Sequence, residues 1–434
     1  MASGGSPWRG YALVAVVVVI VLATTGVWNP WPKVWEWVNT SEPIAGDAAR
    51  WQQRIGGSPQ SVSIVGDAVI VEYRTSVEAY GLTAGVKLWQ NDADWAAVAG
   101  GGNDAVVVTG RLLTKGYQVL DPSTGAVRRA DTVATAVWTY QDAILDLHCA
   151  KGSECVLTAW DPDGRTPKWT LDTGGIGFVL NAANPDLPDT RQLTAAQVDD
   201  DVARPRMLPA VLGLPDDGQI RVVDTATGRV TRTVQPAADQ WVAAAGGRIL
   251  TVTGTAQDGT CYYGVTATDP PTGATVWRRE GLNLRTADNG SNCKQDRDPA
   301  GGEDVVLGVD PTGREELIGA HDGRVLWHGA RGENTLAVDD RYAVIRSADK
   351  RTLRGFSFSR GKTAWVREVG TNVSAALTPY AVVIVTVKPS RVVAVSPSGG
   401  KVLTDVRTDA KIFAVSAGGM IAVSGRDMAY LPFA

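Results

Sequence analysis

The stretch Asp269-Pro270-Pro271-Thr272-Gly273-Ala274-Thr275-Val276-Trp277 carries the plan of the chain. It reads as the end of one strand, a tight turn at Gly273, and a second strand that brings an indole. Variants recur at Asp121–Gly125, Asp224–Gly228, Asp322–Trp327 and Gly361–Trp365. Turn glycines fall at Gly85, Gly125, Gly164, Gly228, Gly273, Gly323, Gly361 and Gly400. Most intervals are near the roughly forty residues of one four-stranded unit. A unit of that size cannot bury its own apolar face, so copies must pack on one another in an all-β array. Closing the array into a ring, a β-propeller, leaves the fewest free edges.

Working outward, Val69–Val71, Ala105–Val108, Ile249–Val252, Ala343–Ile345 and Ala381–Val387 are short β-branched runs. Such runs suit strands buried on both faces, and no long segment has helical periodicity. After Gly400 come Lys411–Val415, Met420–Val423 and Met428–Leu431, the strands of an incomplete last blade, while Ala49–Ile55 reads as a lone outer strand. Joining the two ends hides both edges. The turns number eight, with this split blade in addition. Because larger rings are rare, the expectation is an eight-bladed propeller of four-stranded antiparallel blades, with seven or nine as alternatives.

The chain has 434 residues, 44% hydrophobic and 20% charged, so it has enough apolar surface for a packed core. A net charge of −4 argues against bulk electrostatic capture of nucleic acid. Residues 1–10 read as a short cytoplasmic tail and 11–28 as an uncharged span. As a helix that span is about 27 Å long, close to the hydrocarbon thickness of a bilayer. A cleaved signal peptide is the alternative, with Ala23-Thr24-Thr25 as its cleavage site. Trp28, Trp31, Trp35 and Trp37 favour a retained anchor, because indoles gather at the membrane boundary. Residues 29–46 are then a Trp-rich juxtamembrane segment and linker, and 47–434 the propeller, held on the extracytoplasmic side of a cell membrane. No Cys follows the apolar run to take a bacterial lipid anchor.

The Asp-x-x-Thr-Gly-x-x-x-Trp unit resembles the PQQ-like, or quinoprotein-type, propeller repeat, over residues 47–434. The resemblance implies that each blade's Trp docks on the neighbouring blade, a role that falls to Trp89, Trp169, Trp277, Trp327 and Trp365. Trp169 is displaced by one position, and Arg129, Arg232 and Thr404 depart from the pattern, which predicts less regular packing there. The family includes quinone- and Ca²⁺-dependent dehydrogenases with a pair of adjacent Cys; this sequence has no such pair. It is similar rather to non-catalytic members, the BamB-type propellers and the envelope propellers of actinobacteria. No cofactor and no enzymatic activity are expected on that likeness.

The cysteines are Cys149, Cys155, Cys261 and Cys293, and outside the cytoplasm cystines are the default. A bond between Cys149 and Cys155 would staple a hairpin, and Cys261 lies within reach of Cys293. His148 beside Cys149 lacks the companions of a zinc motif. His321 and His328 read as structural or solvent-facing. Arg128-Arg129 and Arg278-Arg279 read as solvated positions on outer strands.

With strands A to D antiparallel, the A–B and C–D turns share one face and the B–C and D–A links the other. All four Cys and the long insertions 174–206 and 283–302 fall on the link face. Asp186, Asp189, Asp199, Asp200, Asp201, Asp296 and Asp298 in those insertions are the candidate binding residues. The run Asp199–Asp201 is a solvated acidic loop, since it lacks the alternate spacing of a calcium loop. No Gly-x-Ser-x-Gly elbow, phosphate loop or His-Glu-x-x-His occurs. The expected function is a monomeric ring that binds an envelope protein as a scaffold. The alternatives are a quinone-dependent dehydrogenase and a sensor of sugars or cell-wall fragments at the channel mouth.

Overall fold

In the computed structural model the described residues are 44, 47–151, 154–173, 198, 205–216, 218–284, 293 and 300–434. The expected span 11–28 and the candidate residues Asp186, Asp189, Asp199, Asp200, Asp201, Asp296 and Asp298 lie outside them. Among the described residues no helix is long and apolar enough to cross a membrane. The chain divides into Met1–Pro43 and Ile44–Ala434, and the second unit is the propeller.

The described residues form nine antiparallel sheets, so the ring has nine blades and not the expected eight. Each turn glycine marks one blade, and the split blade is a ninth with its own strands, not a remnant. Blade 1 runs Ser61–Val65, Ala68–Glu72, Val77–Gly81 and Lys87–Asn91, paired in that order. The others repeat it, except that blade 4 has three strands among the described residues, Val211–Asp216, Gln219–Asp224 and Arg229–Val234. First strands of neighbouring blades touch, for example Asn334–Val338 with Val373–Leu377, which places strand A at the axis.

The two ends of the chain meet in blade 9. Lys411–Ser416, Gly419–Ser424 and Asp427–Pro432 supply strands A to C, and Trp51–Arg54 supplies strand D. The register sets Trp51 opposite Tyr430 and Arg54 opposite Asp427. Trp51 stacks on Tyr430 with ring centroids 6.2 Å apart, and Arg426 Nη2 donates to Gly56 O at 2.7 Å. Strand A of blade 1 also touches strand A of blade 9, so the ring is shut at the axis and at the rim.

The turn that opened the sequence reading closes through its own side chains. Asp269 Oδ2 accepts from Thr272 Oγ1 at 2.7 Å and from Thr272 N at 3.2 Å, and Gly273 N donates to Asp269 O at 2.8 Å. The backbone then needs a left-handed residue, and Gly273 has φ +69°.

Blades 1 to 8 each carry a β-bulge between their last two strands, one residue before the docking position, and blade 9 does not. Ala267 faces Trp277 while Thr268 faces Thr275, so Val276 is passed over. A bulge twists the strand and re-aims the next side chain, here out of its own sheet and onto the following blade. Trp277 Nε1 donates to Ala320 O at 2.8 Å, and a Cβ on Gly323 would lie 2.7 Å from Trp277 Cγ. Trp89 reaches Pro122 O at 2.8 Å, Trp169 Thr225 O at 2.6 Å, and Trp365 Pro397 O at 3.0 Å. Pro167 does not shift Trp169 in register, because the extra residue is absorbed in the turn and Trp169 still faces Ala159. Trp327 packs instead with Phe356 and Phe358, since the turn at Gly361 closes back to Phe358 O and leaves its glycine uncontacted.

The blades with Arg129 and Arg232 do not pack less regularly. Both residues hold the same bulged register, opposite Val119 and Val222. The stem of Arg129 lies 3.0 Å from a Cβ built on Gly164, and the Arg232 guanidinium fills the space beside Gly273. Thr404 has the register too, but blade 9 receives its D strand from the other end of the chain and offers no C–D turn to dock on. The missing docking indole is Trp51. It donates to Leu82 O at 2.8 Å and sits against Gly85, where a Cβ would be 2.7 Å away.

Candidate functional site

Two regions of the ring are built beyond what closure requires. One is the link face. The B–C hairpin of blade 3, Ile144–Lys151 with Glu154–Trp160, and that of blade 5, Arg248–Gln257 with Thr260–Thr268, are longer than their neighbours. Disulfides fasten both. Cys149 bonds Cys155 across the first hairpin, with Cα atoms 4.1 Å apart. Cys261 in the second hairpin bonds Cys293 in the link between blades 5 and 6, across 32 residues of chain. Such staples reduce the freedom of loops that have little core of their own. Gly254 lets this link come close, since a Cβ there would stand 3.1 Å from Cys293 O.

Val198, in the insertion between blades 3 and 4, is not confined to that face. It forms a parallel bridge with Ile412 on strand A of blade 9 and is buried there with Ile44. One residue of the insertion thus reaches the inner strand of a distant blade.

The second region is the channel mouth on the turn face. A cavity of about 110 Å³ is lined there by Tyr140, Arg206, Pro209, Gly246, Glu303 and Asp304. These residues come from the A–B turns of blades 3, 5 and 6 and from the segment preceding strand Val211–Asp216 of blade 4. Asp340, from the next A–B turn, accepts from the backbone N–H of Glu303 (3.1 Å), Asp304 (2.7 Å) and Val305 (3.1 Å). Its charge is therefore fixed beside two other carboxyls. Burial, and then the charges of Asp340 and Asp304, push the Glu303 carboxyl up to about 7. Burial and Asp340 also raise Asp304.

The sign of the pH effect follows from linkage. A carboxyl with a raised folded pKa is least costly when protonated, so stability falls as pH rises from the ordinary carboxylate range through about 7. Glu303→Gln should match the parent near pH 4 and exceed it at pH 8 by about 1–2 kcal/mol, after discounting the shift for solvent screening. Urea midpoints at the two pH values measure it.

The quinone site implied by the repeat requires adjacent Cys and a calcium cage. All four Cys of this chain are committed to two non-adjacent disulfides on the link face. Among the described residues the His and carboxylate clusters stand between blades or within one sheet, on strands B to D, and not on the axial A strands. The residues present do not fit that group.

The paired arginines divide by strand periodicity. Arg278 is exposed and bonds Glu280, whereas Arg279 turns to the next blade and donates to Glu316 Oε2 at 2.8 Å. Arg128 bonds Asp121 in its own turn, and Arg129 lies 3.7 Å over the Trp160 ring. One member of each pair is thus an inter-blade contact rather than a solvated residue.

A family model described as "Outer membrane protein assembly factor BamB" matches residues 263–421. No curated protein matches the chain. Among solved structures, BamB from Moraxella catarrhalis is 20% identical, over 83% of this chain and 97% of that one, with a TM-score of 0.34. A eukaryotic initiation factor is 12% identical over 88% and 92%, with a TM-score of 0.45. A quinohemoprotein alcohol dehydrogenase from Pseudomonas putida is 12% identical over 89% and 73%, with a TM-score of 0.38. The match over 263–421 falls on blades 5 to 9, where the turn glycine and docking Trp recur most regularly. The repeat, the sheets and the match over residues 263–421 together support a PQQ-like β-propeller for this chain.

Proposed function

We propose that this chain is a binding scaffold of the bacterial cell envelope, its propeller displayed outside the cytoplasmic membrane by residues 11–28. The observation that carries the reading is the one-sided elaboration of the ring. Two lengthened hairpins and both disulfides stand on the link face, while the opposite face carries short turns. Rigid loops at one end of a stable scaffold are a common means of binding a protein partner. The family description, an outer-membrane assembly factor, supports the same class of role.

The test is site-specific photo-cross-linking in intact membranes from positions 257–260 and from the insertions 174–206 and 283–302. A partner should be captured from the link face and not from turn-face positions such as 226. Undiminished partner binding after shortening both hairpins and both insertions would overturn the reading. The cavity beside Glu303 favours a second reading, a small ligand at the channel mouth, for which a ligand-dependent rise in melting temperature is the measurement. Under either reading, incubation with pyrroloquinoline quinone and Ca²⁺ should produce no dye-linked oxidation of alcohols or sugars.

A further inference from the structure

The groove between blades 2 and 3 holds a side-chain set that neither reading uses. His148 and Asp146 stand on strand B of blade 3, two residues apart and so on one face of the sheet. Asp131 ends strand D of blade 2. Both carboxylates converge on one atom. His148 Nε2 is 3.2 Å from Asp131 Oδ2 and 3.6 Å from Asp146 Oδ2.

That nitrogen is buried and makes no hydrogen bond, although two acceptors stand beside it. A proton on Nε2 points in one direction only, and here it aligns with neither oxygen. The Asp146 side chain has 0% exposure, and its Oδ1 also lacks a partner. A buried carboxylate oxygen without a donor is costly unless something charged fills the place. A dication satisfies all three atoms together. Zinc bonds of about 2.0–2.1 Å in a tetrahedron set neighbouring ligand atoms roughly 3.3 Å apart. The separation of His148 Nε2 from Asp131 Oδ2, 3.2 Å, matches that value, and the ligand atoms of all three residues lie within 4.8 Å of one another.

The outer shell is built. Asp146 Oδ2 accepts from Tyr117 Oη (2.7 Å), Arg129 Nη2 (2.6 Å) and Trp160 Nε1 (2.9 Å). Asp131 Oδ1 accepts from Val133 N (2.8 Å) and Ala134 N (2.6 Å). These bonds hold Asp131 by Oδ1 and leave its Oδ2, and hold Asp146 by Oδ2 and leave its Oδ1 as the oxygen open to an ion. Arg129 offsets one of the two negative charges, so with a neutral imidazole the set keeps one negative charge. The His148 side chain is 36% exposed although its Nε2 is covered, so the imidazole borders solvent.

The cluster at His328 provides an internal contrast. There Glu316 Oε1 meets Nδ1 at 2.9 Å and Asp310 Oδ2 lies 3.7 Å from Nε2, on the opposite side of the ring. The two carboxylates thus approach different ring nitrogens, Glu316 already pairs with Nδ1, and Asp310 Oδ1 is taken by its own turn.

We propose that Asp131, Asp146 and His148 form a site for one divalent transition-metal ion of the zinc type. The test uses the full chain without an affinity tag, stripped with a chelator and then titrated with Zn²⁺ by calorimetry and with Co²⁺ by visible spectroscopy. One Zn²⁺ per chain is expected, with the intense ligand-field bands of low-coordinate Co²⁺. His148→Gln and Asp131→Asn should each weaken uptake more than tenfold, while His328→Gln leaves it unchanged. Circular dichroism of each variant establishes that it is folded, and Asp131→Asn serves if His148→Gln is not. Absence of uptake by the parent means a simple imidazolium–carboxylate pair and overturns the proposal. Uptake that survives both substitutions, or is lost in His328→Gln alone, overturns it equally.

Discussion

Removal of residues 44–56 is expected to give a chain that associates more than the parent and melts early. The segment supplies the outer strand of blade 9, whose register pairs Trp51–Arg54 with Asp427–Tyr430. Without it, Asp427–Pro432 becomes an exposed edge with unpaired backbone groups, a template for pairing with other chains. Blade 1 loses the indole that covers Gly85 and bonds Leu82 O. Ile55, 2% exposed and part of the core shared by blades 1 and 9, is lost as well. Trp51→Ala alone should cost about 3 kcal/mol, the lower end for a tryptophan, because this indole is only half-buried. The deletion should cost more, since strand pairing and Ile55 go with it. Light scattering coupled to gel filtration should find oligomers, and the urea midpoint should fall. A truncated chain with the parent's oligomeric state and an unchanged midpoint would show that the ring does not depend on this clasp.

The second large effect concerns the contact between blades 5 and 6. Trp277 is 9% exposed, fills the space over Gly323 and donates to Ala320 O. Trp277→Ala should cost about 3–5 kcal/mol through lost apolar area and an unmet carbonyl. Gly323→Ala strains the same joint from the other side, because the residue has φ +72° and its new methyl would meet the indole 2.7 Å away. The left-handed backbone alone costs an alanine about 1–2 kcal/mol, and the collision adds to that. In a Trp277→Ala background only the backbone part remains. The double variant should therefore be more stable than the sum of the single losses by about 1–2 kcal/mol, read from denaturant midpoints. Strict additivity would mean that indole and turn do not touch in solution.

These joints explain how much of the ring is legible in one dimension. Asp121, Asp224 and Asp269 bind backbone two or three residues ahead, and Gly125, Gly228 and Gly273 take the left-handed turn that follows. That chemistry is complete within about five residues, so composition and spacing reveal it. The docking tryptophans follow four residues after the turn glycine, or five at Trp169, for the same reason. Eight turns and a split blade were legible too, but that the split blade stands beside eight others was not, and a preference for smaller rings gave eight. Trp51 was not legible as a docking residue. No turn glycine precedes it, because its own blade begins at the opposite end of the chain.

Arg129 and Arg232 show the same boundary. Their identities break the pattern, yet the C–D bulge presents position four after the turn glycine to the next blade whatever residue stands there. The gathering of Asp131, Asp146 and His148 has no spacing signature, since one member belongs to a different blade from the other two. By itself, then, the sequence determined the repeating unit, its turns, its indole brace and the meeting of its ends. Only the tertiary structure decided the ninth blade, the role of Trp51, the Arg129 joint and the carboxylate–imidazole groove. The physical reason is range: a turn is stabilised by atoms a few residues apart, whereas a joint between blades depends on register set across some forty residues or around the whole ring.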